Sequence, residues 1–479
     1  MKPIIVIDGF TNGFLDDITI PARNGFNFGA GIDIHRQSGF LQVSPRFDEM
    51  TIDGGLTGIQ MEWMVQYGSA GTVYGLNSGA TFIHRWASGS SSWGTIISYY
   101  GSSVSGGMTE FNNKLYWATN DDLGNFDGTT WTNSGGSFSK GTSSSWPSLP
   151  GGSWHPMAVL GTKLCVGDGN FLYTLDTDGI SKGSAIAIPA GELIKCSAIF
   201  NNLLYFGTVK KNVNEGKIYS WNGFSPEPEL VGALNENGIH ALKVWKNRLM
   251  IFSGLAGNLY EYNGASLRKV KTIPGVDVGS QGYVRPGAVI EYNGNLLFGL
   301  TNILDGTKDY SGIFSLGNVS EKLPEALTFS HIPSTGTVKG VVFYSLAPVN
   351  ENSQNLLFLS YQDASQSAGS AYLLNKINLS NRIGATSYFE SQIYDISDEE
   401  QKRQIKGVEL VAKSLASGNS VVVKYKKDNA SAWTTLGTVD SANQDKILMG
   451  QIGVAKNFQV RLDFTASTTS PEISAIKVY

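Results

Sequence analysis

From about residue 60 to 380 a single pattern recurs with drifting length. An apolar strand is followed by a tight turn, a short Leu- or aromatic-rich strand, a polar loop, and a further strand that closes on Asn-Gly, Asp-Gly or a variant. Clear copies read MTEFNNKLYWATNDDLGNFDGTTW at 108–131, MAVLGTKLCVGDGNFLYTLDTDG at 157–179 and SAIFNNLLYFGTVKKNVNEGKIYSWNG at 197–223. Two more read ALKVWKNRLMIFSGLAGNLYEYNG at 241–264 and AVIEYNGNLLFGLTNILDGTKDYSGIFSLG at 288–317, with looser copies at 71–85 and 341–380. With Val73, Leu115, Leu164, Leu203, Leu249, Leu296 and Leu356 as equivalent points, the intervals are 42, 49, 39, 46, 47 and 60 residues. Propeller blades of four short strands take about 40–50 residues each. Seven copies at this spacing predict a seven-bladed ring, with six or eight as the alternatives.

Strands as short as Leu203–Phe206 cannot bury a core alone. Arranged around an axis, neighbouring sheets cover each other's apolar faces and leave only short edges. Asp127-Gly128, Asn222-Gly223 and Asn263-Gly264 supply the positive φ that hairpin turns require. A parallel β-helix is the main rival, but its coils are shorter and more even. No segment of the repeat region holds a 3.6-residue apolar period for three turns, which excludes a helical solenoid.

Composition agrees with an ordered chain of many corners. Of 479 residues, 57 are Gly, while charged residues are 16% and aromatics 11%. A disordered chain shows the opposite balance of charge and aromatics. The net charge of −4, with no long run of either sign, gives no basic patch for nucleic acid, so sequence-specific nucleic-acid binding is not expected. Cys165 and Cys196 lie 31 residues apart, no metal-ligand spacing, and are read as buried free thiols. The N-terminal MKPIIVIDGF has too short an apolar run for a signal peptide, and no stretch approaches a membrane span. The expectation is synthesis in a cytoplasm without secretion.

The ends differ from the middle. Residues 1–60 read as an arm plus strands, part of which can complete the last blade; 61–385 read as the propeller. Residues 386–479 form a β-sandwich-like module, because Val421, Val423 and Tyr425, and Phe458, Val460, Leu462 and Phe464, alternate with polar positions as in strands with one wet face. Lys424, Lys426 and Lys427 read as a solvated strand face.

Catalytic signatures are absent from the sequence. The five histidines are never closer than 49 residues, and there is no G-x-S-x-G elbow, P-loop or dinucleotide fingerprint. NFDGTTW at 125–131 has the Asp, Gly and Trp of a sialidase Asp-box turn but lacks its Ser, so Asp127 is read as a hairpin-turn residue. Asp16-Asp17 and Asp121-Asp122 could hold calcium but read first as loops. No catalytic, metal or cofactor-binding residue is assigned, and no cofactor is expected. Trp86, Trp93, Trp131, Trp146 and Trp154, in or beside Gly/Ser-rich loops, are candidates for an exposed contact surface.

The segment GIDIHRQSGFLQVSPRF at 31–47, phrases such as FNNKLYWAT, HPMAVLGTKLCVGDGN and ENGIHAL, and the terminal FQVRLDFTASTTSPEISAIKVY together resemble a family of structural proteins of tailed bacteriophages. The likeness covers nearly the whole chain, but its phrases are structural. It implies a virion component of the tail, similar in plan to propeller-bearing hub or nozzle proteins. Its expected partners are other virion proteins and further copies in a cyclic homo-oligomer, with a host-surface receptor or glycan as an alternative partner and a propeller glycosidase as a further one.

Overall fold

The structure is a computed structural model that describes residues 2–14, 25–52, 60–68, 71–77, 82–98, 106–118, 123–132, 154–176, 181–210, 213–273, 282–302, 310–333, 340–366, 371–384, 386–397, 401–413, 415–442 and 448–479. Among these residues there is no helix. The protein is a multi-bladed β-propeller with an appended β-sandwich.

Seven four-stranded antiparallel sheets form the ring. Blade 1 is Met61–Gln66, Thr72–Asn77, Phe82–Ala87 and Ser92–Ser98, with Thr51–Ile52 added in parallel at its rim. Blade 2 is Met108–Phe111, Lys114–Ala118, Leu123–Phe126 and Trp131–Thr132; blade 3 is Met157–Leu160, Lys163–Asp168, Phe171–Asp176 and Ser181–Ala187. Blade 4 is Glu192–Phe200, Leu203–Lys210, Gly216–Trp221 and Glu229–Leu234; blade 5 is Ile239–Trp245, Arg248–Ser253, Asn258–Tyr262 and Leu267–Thr272. Blade 6 is Gly282–Tyr292, Asn295–Asn302, Gly312–Asn318 and Glu325–His331. Blade 7 takes Val341–Glu351, Gln354–Asp363 and Tyr372–Arg382 from one stretch of chain and its outer strand, Pro45–Glu49, from the N-terminal segment. The first strand of each blade packs on the first strand of the next, and that of blade 7 on that of blade 1, so the circle closes.

Each chosen repeat point lies in the second strand of a blade. Two stand one residue out of register: the buried equivalent of Leu115 in blade 4 is Leu204, paired with Trp221, and in blade 7 the turn geometry makes Asn355 the equivalent. A one-residue slip turns a side chain to the other face of its sheet.

The described residues of the first 52 join four larger sheets: blades 1 and 7, one sheet of the sandwich, and the sheet that links blade 6 to it. Besides the outer strand of blade 7, they give Ile5–Asp8 to one sheet of the C-terminal sandwich, where it pairs with Ile473–Val478. That sheet continues through Arg403–Ala412 to Leu448–Ala455. Phe28–Ala30 bridges the two lobes, since Ala30 pairs in parallel with Phe329 of blade 6 while the same short strand pairs with Tyr388–Glu390. The sheet then runs on through Asn457–Thr465 and Ser420–Lys427 to Thr434–Asp440. Blade 6 and half of the sandwich are therefore one continuous sheet. Gly13 beds the arm onto this sheet: its φ is +62°, and a Cβ there would run into the Leu327 backbone. Only glycine meets both conditions.

The sandwich strands alternate as their sequence predicts. Val421, Val423, Phe458, Val460, Leu462 and Phe464 are all buried. On the outer face Lys424 pairs with Asp463 at 2.5 Å and Lys426 lies over the Trp433 ring, whereas Lys427, on the face of Val421 and Val423, donates from Nζ to the Ile452 carbonyl of the opposite sheet at 2.8 Å.

Candidate functional site

In an antiparallel blade the connections from one blade to the next and the second-to-third strand turns emerge on the same face of the ring. There the inner strands begin, and the residues at their starts converge on the axis. Blade 1 contributes Glu62 and Trp63, the approach to blade 3 contributes Trp154, and blade 4 contributes Lys195. Blade 5 adds His240, and blade 6 adds Tyr283 and Arg285. Trp154, Lys195, His240 and Tyr283 line a cavity of about 450 Å³ with the apolar Leu193 and Leu255. A second cavity, of about 330 Å³, is lined by inner-strand residues including Trp63, Ser197 and Lys243.

Charge and ring faces are tightly matched at this mouth. Arg285 Nη1 donates to both Glu62 oxygens at 3.2 and 3.1 Å, and Nη2 to the Tyr283 hydroxyl at 3.4 Å. The guanidinium also lies 4.5 Å from the Tyr344 ring centre. Lys195 Nζ stands 4.7 Å over the Trp154 ring, and Trp154 is 6.2 Å from Trp63. Such cation–ring contacts are worth about 0.5–2 kcal/mol. Burial, reinforced by the Arg285 charge, lowers the Lys195 ammonium below its ordinary range. Burial also pushes His240 down to about 4, which leaves a neutral imidazole at neutral pH, held by its Nε2 at 2.7 Å from the Asn237 carbonyl. Two donors remain idle, because Trp154 Nε1 and Arg285 Nε are buried without a hydrogen-bond partner. The mouth thus offers two cations against one carboxylate and flat aromatic faces. That chemistry suits a flat or anionic ligand.

The tryptophans chosen from sequence part company here. Trp154 is at the mouth. Trp86 and Trp93 are fully buried, against the expectation of exposed contacts. They pack edge-on against Phe358, at 4.9 and 5.2 Å, and seal blade 1 to blade 7. Ring closure needs large apolar volume between these two blades, and the outer strands of blade 1 supply it. The Trp131 side chain and all of Trp146 lie outside the described residues, as do Asp16-Asp17 and Asp121-Asp122. Lys195, His240, Tyr283 and Arg285 escaped the sequence reading. Their only common signal is a polar or aromatic residue at the start of a repeat's first strand, as in GELIKC, NGIHAL and GYVRPG.

Asp127 is a turn residue. Its Oδ1 accepts from Thr129 N, Thr129 Oγ1 and Thr130 N at 2.7–2.9 Å, and these bonds hold the exposed carboxyl down to about 2. Asn222 and Asn263 make the same backbone contacts in blades 4 and 5. Cys165 and Cys196 are buried free thiols, both pushed up to about 12 by burial. Among the described residues no group of three or more His, Cys, Asp or Glu is placed to hold a metal, and no helix is long and apolar enough to cross a membrane.

No family model matches the chain, and no curated protein matches it by sequence. Solved structures similar to it include the extracellular domain of a one-component system from B. thetaiotaomicron, at 14% identity and a TM-score of 0.47, covering 78% of this chain and 44% of that one. The chain thus spans less than half the length of that relative. YCF48 bound to D1 peptide is similar at 10% identity and a TM-score of 0.46, covering 70% of this chain and 98% of that one. Sqt1 of Saccharomyces cerevisiae is similar at 12% identity and a TM-score of 0.42, covering 70% and 99%.

Proposed function

We propose that this protein is a non-enzymatic structural component of a tailed-phage virion, a tail hub, nozzle or tail-associated part that mediates subunit assembly as a cyclic homo-oligomer. The observation that supports this reading is the continuous sheet joining blade 6 to the sandwich through the N-terminal arm. A part that transmits force between neighbours needs two lobes that cannot hinge, and hydrogen-bonded strands crossing the junction remove the hinge. The sandwich also ends on an edge strand, Thr434–Asp440, which among the described residues pairs on one side only, a ready template for a neighbouring subunit. The test is a density map of purified native particles together with native mass spectrometry of the full chain. A ring of copies in the tail density is expected. A monomer absent from every particle overturns the proposal.

A second reading, recognition of a host-surface receptor or acidic glycan, is favoured by the axial mouth, where Lys195, Arg285 and Trp154 bring cations and an aromatic face together. Its test is a glycan array probed with wild type and Trp154→Ala. Binding to acidic glycans that falls at least about fivefold in the variant is expected, since stacking and cation–ring contacts are worth about 1 kcal/mol or more. An array with no hits sinks this reading and leaves the structural one standing.

A further inference from the structure

Loop 222–228 joins the third and fourth strands of blade 4 on the face of the ring away from the mouth. Phe224 is 86% exposed, and Leu230, just past the loop, is 52% exposed, with the exposed Pro226, Glu227 and Glu229 between them. The loop is nonetheless held in place. Asn222 Oδ1 accepts from the backbone N–H groups of Phe224 and Ser225, each at 2.9 Å, and the Trp221 indole donates to the Ser225 carbonyl at 2.7 Å. Lys163 of blade 3 donates to the Gly223 carbonyl at 2.7 Å and lies 4.9 Å from the centre of the Phe224 ring. Pro226 and Pro228 stiffen the remainder. A ring held in water on a firm support contributes little to the fold, because its apolar area stays wet. It is suited to a contact, since an anchor fixed in advance loses little conformational freedom on binding.

The opposite face carries the complementary surface. The cavity of about 450 Å³ at the mouth is lined by Leu193, Val209, Leu255 and Tyr283, with Lys195 as its cation. Leu193 is 49% exposed, so this apolar lining is open to solvent. Glu62, Glu192 and Glu236, on the same face, are committed elsewhere. Glu62 is held by Arg285, Glu192 by Lys217 at 2.5 Å and the Tyr219 hydroxyl at 3.0 Å, and Glu236 by Asn258 Nδ2 at 2.6 Å and the Tyr260 hydroxyl at 2.8 Å. Among the described residues no carboxylate pairs with Lys195. A partner that fits this cavity brings an apolar side chain for its lining and a carboxylate for its lysine. The run FSPEPEL at 224–230 brings both.

We propose that the cavity at the mouth receives this loop from a second copy of the chain, with Phe224 filling the apolar part and Glu227 or Glu229 meeting Lys195. The inference rests on the reading of the protein as a self-assembling part and names the contact between copies. Loop and cavity lie on opposite faces, so the contact is head-to-tail. Repeated from copy to copy, it closes into a ring where the rotation between neighbours allows.

Analytical ultracentrifugation of the full chain over a range of concentrations tests this. Self-association is expected, weakened at least about tenfold in Phe224→Ala and in Leu193→Asp, which remove the aromatic anchor and its apolar seat. Both positions are exposed, so each variant should keep the wild-type urea midpoint. Mixing the two variants joins one intact loop to one intact cavity, and one-to-one dimers of wild-type affinity are expected. No dimer in the mixture overturns the proposal. A wild type that stays monomeric at every concentration also overturns it, whether or not the cavity then takes an acidic glycan. Self-association that both variants keep at full strength overturns this contact but leaves the assembly reading standing, carried by another surface such as the edge strand Thr434–Asp440.

Discussion

Asp168 and His155 are fully buried side by side in blade 3, with Oδ1 and Nδ1 3.7 Å apart. Burial raises the Asp168 carboxyl to about 7, against an ordinary 3.8. The folded chain therefore holds this proton more tightly than the unfolded chain does. The stability it contributes is full below about pH 4 and is lost as pH rises through 7. Asp168→Asn has no such loss. Relative to wild type, the urea stability of the variant should improve by about 2 kcal/mol between pH 5 and pH 8. A difference between the two proteins that does not change with pH would rule this account out. The residue types were readable in sequence, but not this pairing, since nothing in HPMAVLGTKLCVGD says that the Asp faces inward.

Turns decide how one strand meets the next. In five of the seven blades the first hairpin is a two-residue turn with positive φ at both residues, at Asn112-Asn113, Asn201-Asn202, Lys246-Asn247, Asn293-Gly294 and Asn352-Ser353. Asp127-Gly128, Asn222-Gly223 and Asn263-Gly264 instead shape longer loops between third and fourth strands. Asn tolerates the left-handed region, so the Asn-Asn pairs were an unused signal. Side chains at the ends of inner strands also bond laterally to the next blade's first hairpin: the Tyr67 hydroxyl donates to Asn113 O at 2.8 Å, Trp245 Nε1 to Gly294 O at 3.1 Å, and the Tyr292 hydroxyl to Asn355 O, just past its turn, at 2.6 Å. Closure is the exceptional element. Phe47 on the strand Pro45–Glu49 is 2% exposed and packs edge-on against His331. Phe47→Ala should cost about 3–5 kcal/mol, and hydrogen exchange should quicken in Tyr372–Arg382 while blade 4 stays protected. Equal exchange in the two blades would contradict a closing role for this strand.

At the scale of the molecule, one apolar core runs from between blades 5 and 6, through Phe14, Phe26 and Phe28 of the arm, into the sandwich interior. A chain truncated after residue 384 would expose this seam, where Phe10 and Phe26 now meet Phe389. It should aggregate or bind a hydrophobic dye, whereas a soluble truncated chain with the full-length urea midpoint would show the lobes to be independent. What the sequence determined by itself was local: strand period, turn residues and the spacing of seven copies, because each is set by side chains within a few residues of one another. Only the tertiary structure decided which strand closes the ring, that Trp86 and Trp93 are sealed inside it, and that Trp154, Lys195 and His240 line one cavity. Those facts rest on contacts between residues up to hundreds of positions apart. Chain closure brings them together, and no short stretch of sequence records it.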